Sequence, residues 1–136
     1  MRIAKHEKRG GQRGSAMLEG ALSLTVFLMI IFGTIDFGRM VFAYNFVSYA
    51  AREATRYAVV RGTANPVDAA GLTTFVKSEA IGLDRSAITV TPTWTPDHTP
   101  GSTVQVKVSY SFQPIAPYMP TGPITMNSTS KMLISQ

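Results

Sequence analysis

Sixteen consecutive residues, Gly20 to Ile35 (GALSLTVFLMIIFGTI), carry no charge. The run lies between Glu19 and Asp36, and counted from Ala16 it is twenty residues interrupted only by Glu19. Twenty helical residues at 1.5 Å each span about 30 Å, the hydrocarbon thickness of a bilayer. A buried core helix is the competing reading. However, Phe27–Phe32 is apolar all round, and a small domain would have to enclose it completely. A cleaved secretory signal needs a small-x-small site followed by a polar start, whereas here the helical pattern continues. The run therefore predicts a membrane-embedded helix.

The charges fix its direction. Residues 1–14 hold Arg2, Lys5, Lys8, Arg9 and Arg13 against Glu7 alone, a net +4 of the chain's +5. By the positive-inside rule this leader stays in the cytoplasm and the C-terminal part crosses. The leader has no aromatic residue, and the rest of the chain is almost neutral. A nucleic-acid surface, with cations and aromatics spread over a folded face, is therefore not expected. The length, 136 residues, allows one domain or a small domain with an appendage and rules out a multidomain enzyme. Cysteine is absent, which excludes disulfides, thiolate metal sites and a cysteine nucleophile.

The helix continues beyond the apolar run, for no proline occurs from Met1 to Asn65. Met40, Ala43, Tyr44, Val47, Ala50, Ala51, Ala54 and Ala58 recur at spacings of three and four, with Asn45, Ser48, Arg52, Thr55 and Arg56 on the other side. Asp36 and Arg39 can pair at i, i+3, as can Glu53 and Arg56. Arg61-Gly62 is a stop signal. One helix from about Ala16 to Arg61 would run about 69 Å. Asn65-Pro66 reads as a cap and first turn for a short helix over Val67–Ala80, with Val67, Ala70, Leu72, Phe75 and Val76 apolar and Gly82 closing it. The period then changes to two. Ile88, Val90, Pro92 and Trp94 alternate with threonines; Val104 to Phe112 alternates most cleanly; Ile124 to Ile134 alternates less strictly. Such strands need a cover, and the amphipathic half of the long helix supplies it. The expected class is α+β: the long helix, one short helix and a three-stranded antiparallel sheet packed on it. The expected parts are a basic cytoplasmic leader (1–14), a transmembrane helix (15–36), an amphipathic extension (37–62) and a small extracytoplasmic α+β domain (63–136).

Chemistry concentrates at Arg13-Gly14-Ser15-Ala16-Met17-Leu18-Glu19. A carboxylate inside a membrane segment is expensive and marks a functional residue that needs a partner. Cutting the chain after Gly14 would create one, an α-amino group at Ser15, which Glu19 of a neighbouring subunit could meet in a staggered bundle. Snorkelling of Glu19 to the headgroup level is the alternative, and the residues alone do not choose between them.

Gly14-Ser15-Ala16-Met17-Leu18-Glu19 resembles the processing motif of type IV pilin-like proteins: glycine, four residues, glutamate. The stretch from Phe32 to Gly62 resembles TadE-like proteins of the tight-adherence (Flp) pilus system. Its Asp-x-Gly-Arg step is Asp36, Gly38 and Arg39, and its later step is Ala51, Arg52, Glu53, Arg56, Tyr57 and Ala58. Gly20 departs from the pilin pattern, which usually has a bulky residue after the glutamate. The resemblance implies a minor pilin or pseudopilin. A membrane-embedded prepilin peptidase would remove the leader after Gly14. The mature chain would sit in the inner membrane beside other pilin-like subunits and tight-adherence assembly proteins, with its C-terminal domain outside. It would be a protease substrate with no catalytic residue or cofactor of its own.

Other features have plainer readings. Asp36 with Arg39 suits an ion pair at the outer bilayer edge better than a proton relay. Arg52 and Arg56 suit a solvated face. His6 and His98 lack companion metal ligands. Asn127-Ser128-Thr129 reads as a strand-face triplet, and Trp94 as a core or rim residue. The functional alternative is an unprocessed single-pass anchor carrying an extracytoplasmic protein-binding module. A tethered enzyme would need a pocket with converging polar groups, and no such set is evident.

Overall fold

The computed structural model describes residues 10–62, 65–116 and 122–135. The basic leader up to Arg9, with His6, lies outside the described residues, as do Pro117 and Pro120.

Helix α1 runs from Gly10 to Arg61, 52 residues, or about 78 Å. It begins six residues before the expected start at Ala16. Adding residues to an established helix costs little even at Gly10-Gly11, and no proline stands in the way. At the other end Gly62 takes a positive φ of 45°, and its N–H bonds the carbonyl of Ala58 at 3.3 Å. A residue with a Cβ is strained in that conformation, so the glycine stops the helix.

From Met40 onward α1 has one buried face. Ala43, Val47, Ala50, Ala51, Ala54 and Ala58 are buried there. Their small side chains let the helix axis come close to the sheet, as expected from the alanine spacing. Two residues depart from the expected faces. Tyr44 points outward and is exposed. Thr55, expected on the polar side, is fully buried. Its hydroxyl donates to the carbonyl of Ala51 at 2.7 Å and lies 3.5 Å from that of Ser130. Back-bonding of this kind lets a threonine occupy an apolar face without an unsatisfied donor.

Helix α2 spans Ala69–Glu79. Its cap is Asp68 and not Asn65: the Asp68 carboxylate accepts the N–H of Gly71 at 2.7 Å, satisfying one of the free donors of the first turn. Leu72 and Val76 are buried, while Ala70 faces outward. Phe75 stacks on Tyr57 of α1, with centroids 4.2 Å apart, and this joins the two helices.

The sheet is an antiparallel meander of β1 (Ile88–Thr95), β2 (Thr103–Phe112) and β3 (Ile124–Leu133), in the order β1-β2-β3. Pro92 is tolerated because β1 is an edge strand, where a missing N–H need not break a ladder. Val104, Val106 and Val108 of the central strand are fully buried, each contributing on the order of 1.5 kcal/mol or more by leaving water. Alternate residues form the outer face, where Thr91, Lys107 and Thr129 lie side by side. Helix α1 covers β2 and β3, and α2 covers β1.

This register gives the domain two distinct ends. Phe112 pairs with Ile124, and both line a recess beside Asp36 and Phe37 of α1. The opposite end carries the β1–β2 hairpin. There the N–H of Gly101 bonds the carbonyl of Ile134, and the N–H of Ile134 bonds that of Ser102, each at 2.8 Å. The start of the β2–β3 connection, at Ile115 and Ala116, therefore sits where the apolar half of α1 ends, and the hairpin lies far from it.

Candidate functional site

The first half of α1 is exposed along almost its whole length. Residues 14 to 35 are exposed apart from the half-exposed Gly33. This stretch lies in the one helix, among the described residues, that is long and apolar enough to cross a membrane, and the apolar window is wholly unburied. Thr25 and Thr34 donate their hydroxyls to the carbonyls of Ala21 and Ile30 at 2.8 Å. Their polar atoms are thus satisfied inside the helix, as a hydrocarbon environment requires.

Gly14, Ser15 and Glu19 stand on the exposed first turns of this half. Among the described residues Glu19 forms no hydrogen bond or ion pair. Space is open around Gly14, Gly20 and Gly38, where an added Cβ would meet nothing within 4 Å. Contacts within the chain therefore do not require these residues to be small.

The second group forms where the apolar run ends. Arg39 donates to Asp36 Oδ1 at 2.7 Å. The other carboxylate oxygen accepts two consecutive backbone N–H groups, from Ile115 at 2.8 Å and Ala116 at 2.7 Å. Asp36 is only 3% exposed. The Arg39 guanidinium also lies over the ring of Phe112, 5.1 Å from its centroid, at cation–π distance. The i, i+3 pairing was expected from spacing. The two backbone donors, 79 and 80 residues away, were not. No residue type announces a backbone N–H, so the sequence carried no signal for them.

Further along, Arg56 holds Glu53 through two bonds of 2.8 and 3.2 Å on the exposed face. Arg52 is exposed beside them. These residues are separated from Asp36 by more than four turns of helix, so the expected helix motif forms two clusters and not one site. At the far end Trp94 is half-buried and tilts against His98, centroids 4.5 Å apart. It is a rim residue. The two rings help line an open apolar recess of about 390 Å³ with Pro66, Val67 and Ala69. Among the described residues no three His, Asp or Glu side chains are placed to hold a metal ion.

A helix exposed along its apolar first half and used as the spine of a small antiparallel sheet for its second defines an α+β fold. The family model described as TadE-like protein matches residues 14–56, so this segment of the chain is similar to TadE-like proteins. The match covers Gly14, Glu19, Asp36, Gly38, Arg39, Arg52, Glu53 and Arg56 together. The match suggests a protein related to the tight-adherence pilus system. No curated protein and no solved structure matches the chain.

Proposed function

We propose that the chain is a minor pilin-like subunit, or pseudopilin, needed to assemble a tight-adherence pilus or a related secretion machine. A prepilin peptidase cuts it after Gly14. The apolar half of α1 holds it in the inner membrane, with the leader cytoplasmic and the sheet domain outside. Other pilin-like subunits and tight-adherence assembly proteins are its partners. The observation that carries this reading is Glu19: a carboxylate with no partner among the described residues, five positions after Gly14, at the start of a bare apolar helix in a TadE-like segment. The Ser15 amine released by cleavage in a neighbouring subunit supplies the missing cation.

Replacing Glu19 with Ala tests this. Assembly of the pilus should fail while the protein still accumulates in the membrane. A second reading, the unprocessed single-pass anchor, is favoured by one observation: α1 runs unbroken across Gly14-Ser15, where a protease needs extended chain. An anchor should tolerate Glu19→Ala, or insert more readily for having lost a membrane carboxylate. Normal pilus assembly by that variant would overturn the subunit reading.

A further inference from the structure

Asp36 ends the uncharged run, and the β2–β3 connection is fastened to it. The N–H groups of Ile115 and Ala116 bond one carboxylate oxygen and Arg39 bonds the other. This holds the start of the connection, Ile115 and Ala116, level with residue 36, about one helical turn beyond Phe32. A charged pair next to so long an apolar run belongs at the membrane–water boundary, so the start of the connection stands there too.

The surface at that level is apolar. Ile115 is 59% exposed and Phe37 62% exposed, although both lie beside the buried carboxylate. Next to them is a small recess of about 170 Å³, lined by Gly33, Asp36, Phe37, Met40, Phe112 and Ile124. It begins at Gly33, inside the uncharged run, and ends at the foot of the sheet. It is continuous with the apolar half of α1 and too small for a folded partner. Above it the Arg39 side chain stays 41% exposed despite its ion pair, leaving donors for a phosphate oxygen.

We infer that this end of the outer domain rests on the bilayer. Ile115 and Phe37 enter the boundary between headgroups and acyl chains, a stretch of phospholipid acyl chain fills the recess, and Arg39 faces the lipid phosphate. The domain therefore has a second membrane attachment, set by Asp36, that fixes which way the sheet faces. This inference rests on reading the first half of α1 as the membrane span.

The chain has no cysteine, so single labels are clean. The full chain is placed in vesicles of phosphatidylethanolamine and phosphatidylglycerol at high lipid excess. An environment-sensitive fluorophore is attached at Ile115→Cys, or at Phe37→Cys should the first variant misfold. A separate sample is labelled at Leu28→Cys. The expected result is blue-shifted emission at position 115, quenched more by spin labels high on the acyl chain than by deep ones. Position 28 should be quenched most by deep labels. Adding Asp36→Ala should remove the shallow quenching at 115 and leave 28 unchanged. Water-like emission at 115, with 28 still quenched by deep labels, overturns the inference alone. So does a blue shift at 115 that needs crowded protein and no lipid quencher can reach, because a second copy is then the cover. Loss of deep quenching at 28 overturns the membrane span, and the inference with it.

Discussion

The two halves of α1 share one unbroken backbone and differ in what surrounds them. From Gly14 to Ile35 large side chains such as Leu22, Phe27 and Ile30 stand exposed. From Asp36 to Arg61 small ones, Ala43, Ala50, Ala51, Ala54 and Ala58, are buried against the sheet. Bulk on every side suits a solvent of acyl chains, which has no shape to match. A narrow alanine stripe suits one rigid partner at short range. Helix formation is common to both halves; side-chain size decides which half builds a domain.

Substitutions can break this contrast. The largest effect is expected for Ala54→Asp, which sets an unpaired charge against the sheet and should cost several kcal/mol, enough to unfold the outer domain. A circular dichroism melt of the purified protein in detergent would read it, and an unchanged melt would mean that the helix does not carry the sheet. Leu72→Ala, on the fully buried face of α2, should cost about 3 kcal/mol. Leu28→Ala is a truncation of the same size in the bare half and should leave the outer-domain melt where it was. Removing the α2 cap with Asp68→Ala should cost about 1 kcal/mol, visible as faster amide exchange at Gly71.

The smallest effect is a local pH dependence, read first at the far hairpin. The Thr99 hydroxyl, then the Thr99 N–H and the Ser102 hydroxyl, donate to the Asp97 carboxylate and hold it below its ordinary pKa. Its stabilising contribution is therefore complete above the unfolded value of about 3.9 and is lost as pH falls through the lower folded value. Amide exchange at Gly101 and Ser102 should quicken over that acid range, and Asp97→Asn should abolish the pH dependence. The Ser86 hydroxyl and N–H lower Asp84 in the same sense, so the turn before β1 should respond similarly.

Much of this architecture was legible because periodicity records which solvent each face meets. Val104 to Phe112 alternates with period two, and every inward residue is buried. The run from Gly20 to Ile35 has no polar face and stays exposed but for the half-exposed Gly33. Errors arose where one residue had two plausible partners. Asn65 and Asp68 can each cap a helix, and the carboxylate that reached Gly71 prevailed. Thr55 looked polar until its hydroxyl bonded its own helix. Tyr44 matched the apolar spacing but is too large for a stripe of alanines. The Asp36 junction was half legible. Its arginine lies three residues away, but its other two donors are backbone groups brought in by the sheet, and side-chain chemistry leaves no trace of them. Gly14, Ser15 and Glu19 are legible only as a motif, because a lone chain gives Glu19 nothing to bind.

The account turns on whether Glu19 meets a new amine, and that amine exists only if the leader is removed. Intact-mass and N-terminal peptide mass spectrometry on the membrane-bound protein, from cells with an active prepilin peptidase, addresses this directly. The account predicts a mature chain beginning at Ser15, while a chain still beginning at Met1 under those conditions would contradict it.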